Sequence, residues 1–321
     1  MHRMRLFFSM AGLIGLLAVP SNSAAQHMDL ELWRLGNPRP IELSDGTSVS
    51  PYLEADDRFR LLMVDLGLAM HPTPTHPANT LGRAGTAFEF SLRLPQIHPG
   101  ATVQPGDRVE EGDCPPGNPQ CRIWVIRGTA EGYAPQRPPP SRLIVPTIQL
   151  RKGLPASFEL NSKIHYLTGS SMVGLSGGLR WALNEGFDFL PDLSVGGQGT
   201  RLVGTKGFGL TTFSADVLLG KWFPIAGSAT FGPYLGWQRV WVHAVSSVID
   251  FNPGHEAADN PTGDDSIFDT VNAVDNGYDR VVFGLRVKSY VAQFLLEGSY
   301  QPDFLGLDPA FNIIFMVGVD F

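Results

Sequence analysis

Six side chains that could line a polar passage recur at even spacing in short alternating segments. They are Glu159, Lys163 and His165 in SFELNSKIHYL, Asp216 in SADVLLG, Arg286 in FGLRVKSY and Glu297 in FLLEGSY. Glu89, Arg93, Asn161, Arg280, Lys288 and Gln293 fall on the same parity of their own segments. Both signs of charge are present, so two chemistries are open. The residues can pair with one another and fill an enclosed space, or they can line a narrow path and gate it.

Other chemistry finds less support. His243, near the top of the seventh predicted strand, with Asp250, Glu256 and Asp279 close in topology, is the best hydrolytic set. Acid-base catalysis needs a base within hydrogen-bond reach of its water or nucleophile, and no recognisable motif joins these four. The remaining histidines lack the spacing of a zinc site. The acidic stretch DFNPGHEAADNPTGDDSIFD carries enough carboxylates for calcium but not the order of an EF-hand loop, and it reads as a solvated loop. LVGTKGFG lacks the spacing of a phosphate loop. No catalytic residue, metal or cofactor is therefore expected, and the protein does not read as an enzyme. A net charge of -7, becoming -9 once Arg3 and Arg5 are removed with a leader, argues against a nucleic-acid partner, which needs a clustered basic surface.

The elements that must place the six side chains are strands. In AFEFSLRL, Phe88, Phe90, Leu92 and Leu94 alternate with Glu89, Ser91 and Arg93, the period-two pattern of a strand with two unlike faces. Ten such segments are predicted, at 85–94, 142–151, 155–167, 171–183, 192–203, 207–221, 229–248, 278–288, 290–300 and 311–321. Most have the length that a tilted strand needs to cross a bilayer, about 9 to 11 residues. Short links near 152–154, 184–191, 222–228 and 289–290 fall at one end. The long links 95–141 and 249–277 fall at the other, the asymmetry of an outer-membrane barrel. Aromatic residues near strand ends, among them Trp181, Trp222, Trp237 and Tyr290, suit interfacial girdles. A soluble barrel with its apolar face inside would read the same way.

Ahead of the strands, residues 1–25 read as a cleaved signal peptide. Arg3 and Arg5 precede LFFSMAGLIGLLAVP, and SNSAA supplies a small-residue cleavage site. Residues 26–84 read as an arm carrying an amphipathic helix over 56–70, with Phe59, Leu62, Met63 and Leu66 on one face and Asp56 and Asp57 at its N-terminal end. The prolines of HPTPTHPANTLG stop it. The helix could plug the lumen, cap the periplasmic mouth, or lie along the membrane interface. Cys114 and Cys121, in a Pro/Gly-rich loop of an exported chain, read as a loop-closing disulfide. Residues 85–321 form the barrel.

The stretches LIVPTIQLRKGLPASFELNSKIHYL, PDLSVGGQGTRLVG, SADVLLGKWFP and FGPYLGWQRV resemble a poorly characterised proteobacterial family of outer-membrane β-barrels. The resemblance spans residues 56–321, and the family is distantly similar to outer-membrane long-chain fatty-acid transporters, which hold an N-terminal hatch inside the barrel. Terminal Phe321 in FNIIFMVGVDF resembles the aromatic signature read by the barrel-insertion machinery. The resemblance implies a bacterial outer-membrane location, with membrane lipid and that machinery as partners. The expectation is an all-β, transmembrane antiparallel barrel of about ten strands with an N-terminal helical plug or hatch, porin-like, binding or passively conducting a small amphipathic or hydrophobic ligand. The alternatives are a structural barrel with a filled lumen and a surface-facing hydrolase.

Overall fold

A computed structural model describes residues 28–36, 41–42, 48–49, 55–99, 122–126, 139–187, 189–226, 229–251 and 265–321. The leader 1–25 and the cysteines Cys114 and Cys121 lie outside the described residues.

Ten strands make the barrel, in chain order Thr86–Leu94 (β1), Val145–Leu154 (β2), Phe158–Tyr166 (β3), Val173–Asn184 (β4), Asp192–Val203 (β5), Phe208–Gly220 (β6), Ala229–Ser246 (β7), Gly277–Ser289 (β8), Ala292–Gln301 (β9) and Ala310–Asp320 (β10). Each pairs antiparallel with its neighbours in sequence. β10 returns to pair with β1, Val319 opposite Phe88 and Ile313 opposite Leu94, which leaves no free edge. Backbone bonds between Thr86 and Phe321 in both directions, at 2.8 and 2.9 Å, seal that seam. A four-residue ribbon, Phe223–Ala226, pairs with the start of β7. The second strand begins three residues later than the alternation predicts, because Ser141 and Leu143 pair with Ile97 and Pro95 in the adjoining loop.

Burial is inverted relative to a soluble barrel. In β1 and β2, Phe88, Phe90, Ile148 and Leu150 are 41–49% exposed, while Glu89, Gln149 and Arg151 are 0–2% exposed. The same alternation continues around the wall. Polar side chains therefore face in and large apolar ones face out.

The barrel has two unlike ends. β1 starts and β10 finishes at one, here the terminal end, which carries the short connections. The other, the loop end, carries the long ones. Helix α1, Ala55–Met70, enters the loop-end mouth with its C-terminal half. Gly67 sits so close to the wall that a Cβ there would lie 2.9 Å from a methyl of Val242 on β7 and 3.3 Å from the methyl of Thr212 on β6. Its N-terminal half meets the connections, where Phe59 stacks on Phe268 with ring centres 4.7 Å apart.

Of the positions open to the helix from sequence, it takes the lumen, at the loop end. It does not lie along a membrane interface, nor at the terminal mouth. Nor is it one-faced: Leu61, Val64 and Leu68 are buried along with Phe59, Leu62, Met63 and Leu66. A 3-10 turn at Leu32–Leu35 and residues Ile97, Trp124, Leu143, Val271 and Leu307 close around it as one apolar core.

Candidate functional site

Below the helix, residues 71–85 descend the lumen to the terminal end and run into β1. Pro72, Pro74 and Pro77 have no N–H to give to a strand ladder, so this segment cannot join the sheet. Polar groups along it bond wall side chains instead, in three tiers.

The upper tier closes the helix. The last carbonyls of a helix have no partner within it, and they carry the negative end of its dipole. Arg93 on β1 donates to the carbonyls of Ala69, Met70 and His71 at 2.9–3.2 Å. Arg280 on β8 reaches those of Leu68, His71 and Pro72 at 3.2–3.5 Å and is itself held by Gln238 at 2.7 Å. Two buried guanidinium groups on neighbouring sides thus act as the helix C-cap.

The middle tier grips a kink. Thr75 has φ +59°, a left-handed conformation that a β-branched residue seldom adopts. The carboxylate of Glu297 on β9 accepts the Thr75 N–H at 3.0 Å and the hydroxyls of Thr73 and Tyr234. Lys163 on β3 donates to the Thr73 carbonyl at 2.6 Å and meets the Thr75 hydroxyl at 3.2 Å. That hydroxyl donates to Gln149 at 2.9 Å.

The lower tier pairs charge across the wall. Arg151 on β2 makes a two-pronged contact with Glu159, both bonds 2.8 Å, and a third with Glu89 at 3.0 Å. Glu159 also accepts the Leu81 N–H of the descending segment at 3.1 Å. Arg180 on β4 bonds His76, the Pro77 carbonyl at 3.1 Å and Asp216 at 3.5 Å. Where the segment reaches the terminal end, Gly153 donates its N–H to the Gly85 carbonyl at 2.9 Å; a Cβ on Gly153 would lie 1.7 Å from the Gly82 carbonyl oxygen.

The six lumen candidates are all buried inside the barrel. Glu159, Lys163 and Glu297 touch the descending segment directly, and Asp216 reaches it through Arg180. Arg286 bonds Glu89 at 3.2 Å rather than the segment. His165 packs against Gly174 and makes no hydrogen bond from either ring nitrogen. His243 and Asp279 are not brought together: the outward-turned His243 sits opposite Thr211 on β6, whereas Asp279 pairs with Arg239 at 3.4 Å. No group of three or more His, Cys, Asp or Glu among the described residues is placed to hold a metal ion.

Sequence reasoning passed over Arg151, Arg180, Gln149 and Tyr234, although each has inward parity on its strand. It also passed over the anchor of the helix. Asp65, a lone carboxylate in the run LLMVDLGLAM and only 2% exposed, accepts the backbone N–H and ring Nδ1 of His98, both 2.9 Å, and the indole N–H of Trp124 at 2.7 Å. His98 Nε2 lies 2.7 Å from the Asp308 carbonyl. Both ring nitrogens face acceptors, which calls for the imidazolium. Burial alone lowers the His98 pKa, but the Asp65 carboxylate and the Asp308 carbonyl outweigh it and hold the pKa above the usual value.

Among the described residues, the barrel interior keeps a sizeable opening beside the descending segment. At the terminal end, a cavity of about 420 Å³ lies between residues 79–85 and the walls of β7, β8 and β10. Trp222 turns into it rather than joining an outer aromatic girdle, its ring packed over Gly232.

No family model and no curated protein matches this chain. The resemblance to fatty-acid transporters thus has no counterpart among them. Among solved structures, the translocator domain of the autotransporter NalP from Neisseria meningitidis aligns over 84% of this chain and 95% of its own, with 12% identity and a TM-score of 0.28. Ail, the attachment invasion locus protein of Yersinia pestis, solved with the heparin analogue sucrose octasulfate, aligns over 74% and 99%, with 8% identity and a TM-score of 0.24. A variant of OccD1 (OprD) aligns over 76% and 98%, with 8% identity and a TM-score of 0.21.

Proposed function

We propose that the protein is a bacterial outer-membrane barrel held shut by its own N-terminal segment, and that it passes a small amphipathic or hydrophobic solute when residues 71–85 shift. The membrane location is supported by the outward row of large apolar side chains, each worth about 1.5–3 kcal/mol when taken out of water. Membrane lipid covers that row, and the insertion machinery would deliver the barrel to it after the leader is removed.

The observation that carries the gate is the grip of Glu297 and Lys163 on Thr73 and Thr75. A left-handed threonine costs roughly 1–3 kcal/mol and persists only while its surroundings enforce it. The segment is joined to the wall by exchangeable polar bonds, whereas helix α1 above it is set in an apolar core. The segment is therefore the part released first, and helix α1, which runs directly into it, follows when solute passes.

A filled structural barrel is the second reading, favoured by the size of that apolar core. Planar-bilayer recording separates the two. The wild type is expected to be silent and Glu297→Ala to open intermittently. Silence from a folded Glu297→Ala protein overturns the gate and leaves the filled barrel.

A further inference from the structure

We infer that the terminal-end cavity binds a small organic carboxylate with an apolar body, its acid group on Arg286 and its body against Trp222 and Tyr290. Residues 79–85, the lower end of the gated segment, form one side of this cavity, which is open with the segment in place, so the inference does not require the gate to move.

Three features carry it. First, Arg286 is only 3% exposed and has unused donor capacity. It gives one hydrogen bond, to Oε1 of Glu89, an oxygen that already accepts from Arg151 at 3.0 Å and Gln293 at 2.7 Å. Its Nε is buried with no partner. Second, Trp222 borders the same cavity, and its indole N–H is also buried without a partner. A buried donor left unbonded is costly, and a carboxylate is the group that uses two donors at once, one of them charged. Third, the rest of the wall adds a second buried guanidinium, Arg151, an ion pair and an apolar part. Lys288 lies toward the mouth, bonded to Asp320 at 2.9 Å and partly exposed, while Leu81, Tyr290, Val291 and Phe321 offer apolar surface. Glu89 and Glu159 balance the two arginines from outside the cavity lining, so they do not meet the ligand. The volume is at the small end of the range of ligand pockets, about 300–1,000 Å³.

Calorimetry of the full-length protein in lipid nanodiscs tests this, with indole-3-propionate as the probe. Tryptamine has the same body with a cation, and inorganic phosphate has an anion without a body. Indole-3-propionate is expected to bind the loaded nanodiscs and not empty ones, tryptamine not to bind, and phosphate not to displace the probe. Arg286→Gln is expected to weaken binding at least tenfold. Trp222→Phe, which keeps an aromatic ring and removes the N–H, is expected to weaken it about threefold and serves if Arg286→Gln does not fold. Equal binding of tryptamine, equal uptake by empty nanodiscs, displacement by phosphate, or unchanged affinity in the folded variants overturns the site. Such a failure leaves the gate intact, since the gate is read by conductance.

Discussion

Glu297, on the ninth strand of the barrel, holds the N–H of Thr75 at 3.0 Å, where the chain descending the lumen first turns left-handed. A single wall carboxylate thereby fixes the backbone of the segment that closes the barrel. Lys163 completes the grip from the other side.

Replacing Glu297 with Gln keeps the shape and removes the charge. Hydrogen bonds to a charged group are worth about 1.5–3 kcal/mol each. Allowing for the bonds that the amide retains, the segment is expected to open more readily by about 2 kcal/mol, or roughly thirtyfold. Hydrogen exchange of peptides covering residues 71–85 should show that loss of protection, with the barrel strands unchanged. Protection equal to that of the wild type would mean that Glu297 does not hold the segment.

The contact of His98 with Asp65 makes the loop end pH-sensitive. The folded pKa of His98 is raised, so its stabilising contribution is fully present below the ordinary histidine value of about 6.5 and is lost as pH climbs through the folded value. Neutral imidazole can donate to Asp65 or to the Asp308 carbonyl, not to both. Exchange protection around residues 95–99 and 302–309 should therefore fall with rising pH. In Asp65→Asn the step should disappear and protection should be low throughout. A flat profile in the wild type would contradict the imidazolium assignment.

Gly153 is where the segment lands at the terminal end. Because a Cβ there would lie 1.7 Å from a backbone oxygen, Gly153→Ala cannot be accommodated by a side-chain rotation. Residues 82–85 should lift from β2, and limited proteolysis at the exposed Arg83 should accelerate several-fold. An unchanged cleavage rate would show that this turn is already free.

The turn between the second and third strands offers the opposite sign. Ala156 and Ser157 both have φ +59°, a conformation that costs an L-residue about 1–2 kcal/mol. Ser157→Gly removes that penalty at the cost of some chain entropy, for a net gain of about 0.5–1 kcal/mol. The midpoint of urea unfolding should rise. A lower midpoint would mean that the serine side chain contributes something the backbone geometry does not show.

The barrel was legible because its code is local. Parity alone told Glu159, Lys163 and Glu297 from Leu160, Ile164 and Leu296, and link lengths told the two ends apart. The seating of the helix was not legible. A 3.6-residue period reports that Phe59 and Leu66 need cover, but not which surface supplies it, and Leu61 and Val64 on the other side turned out to be equally enclosed. Nor does any local pattern announce that Arg93 and Arg280, nearly two hundred residues apart in sequence, converge on the last carbonyls of one helix. Asp65 was the missed signal: a carboxylate within an apolar helical run needs a buried partner, and His98 and Trp124 are the partners.

The seating of the plug is tested most directly by cross-linking it to the wall. In a background with Cys114 and Cys121 replaced by Ser, Gly67→Cys and Val242→Cys bring two thiols within reach, since a Cβ on Gly67 would already lie 2.9 Å from a Val242 methyl. A disulfide should form spontaneously in outer membranes and show as a mobility change that reductant reverses. Two free thiols at residues 67 and 242 in a folded, heat-modifiable barrel would contradict a helix seated in the loop-end mouth.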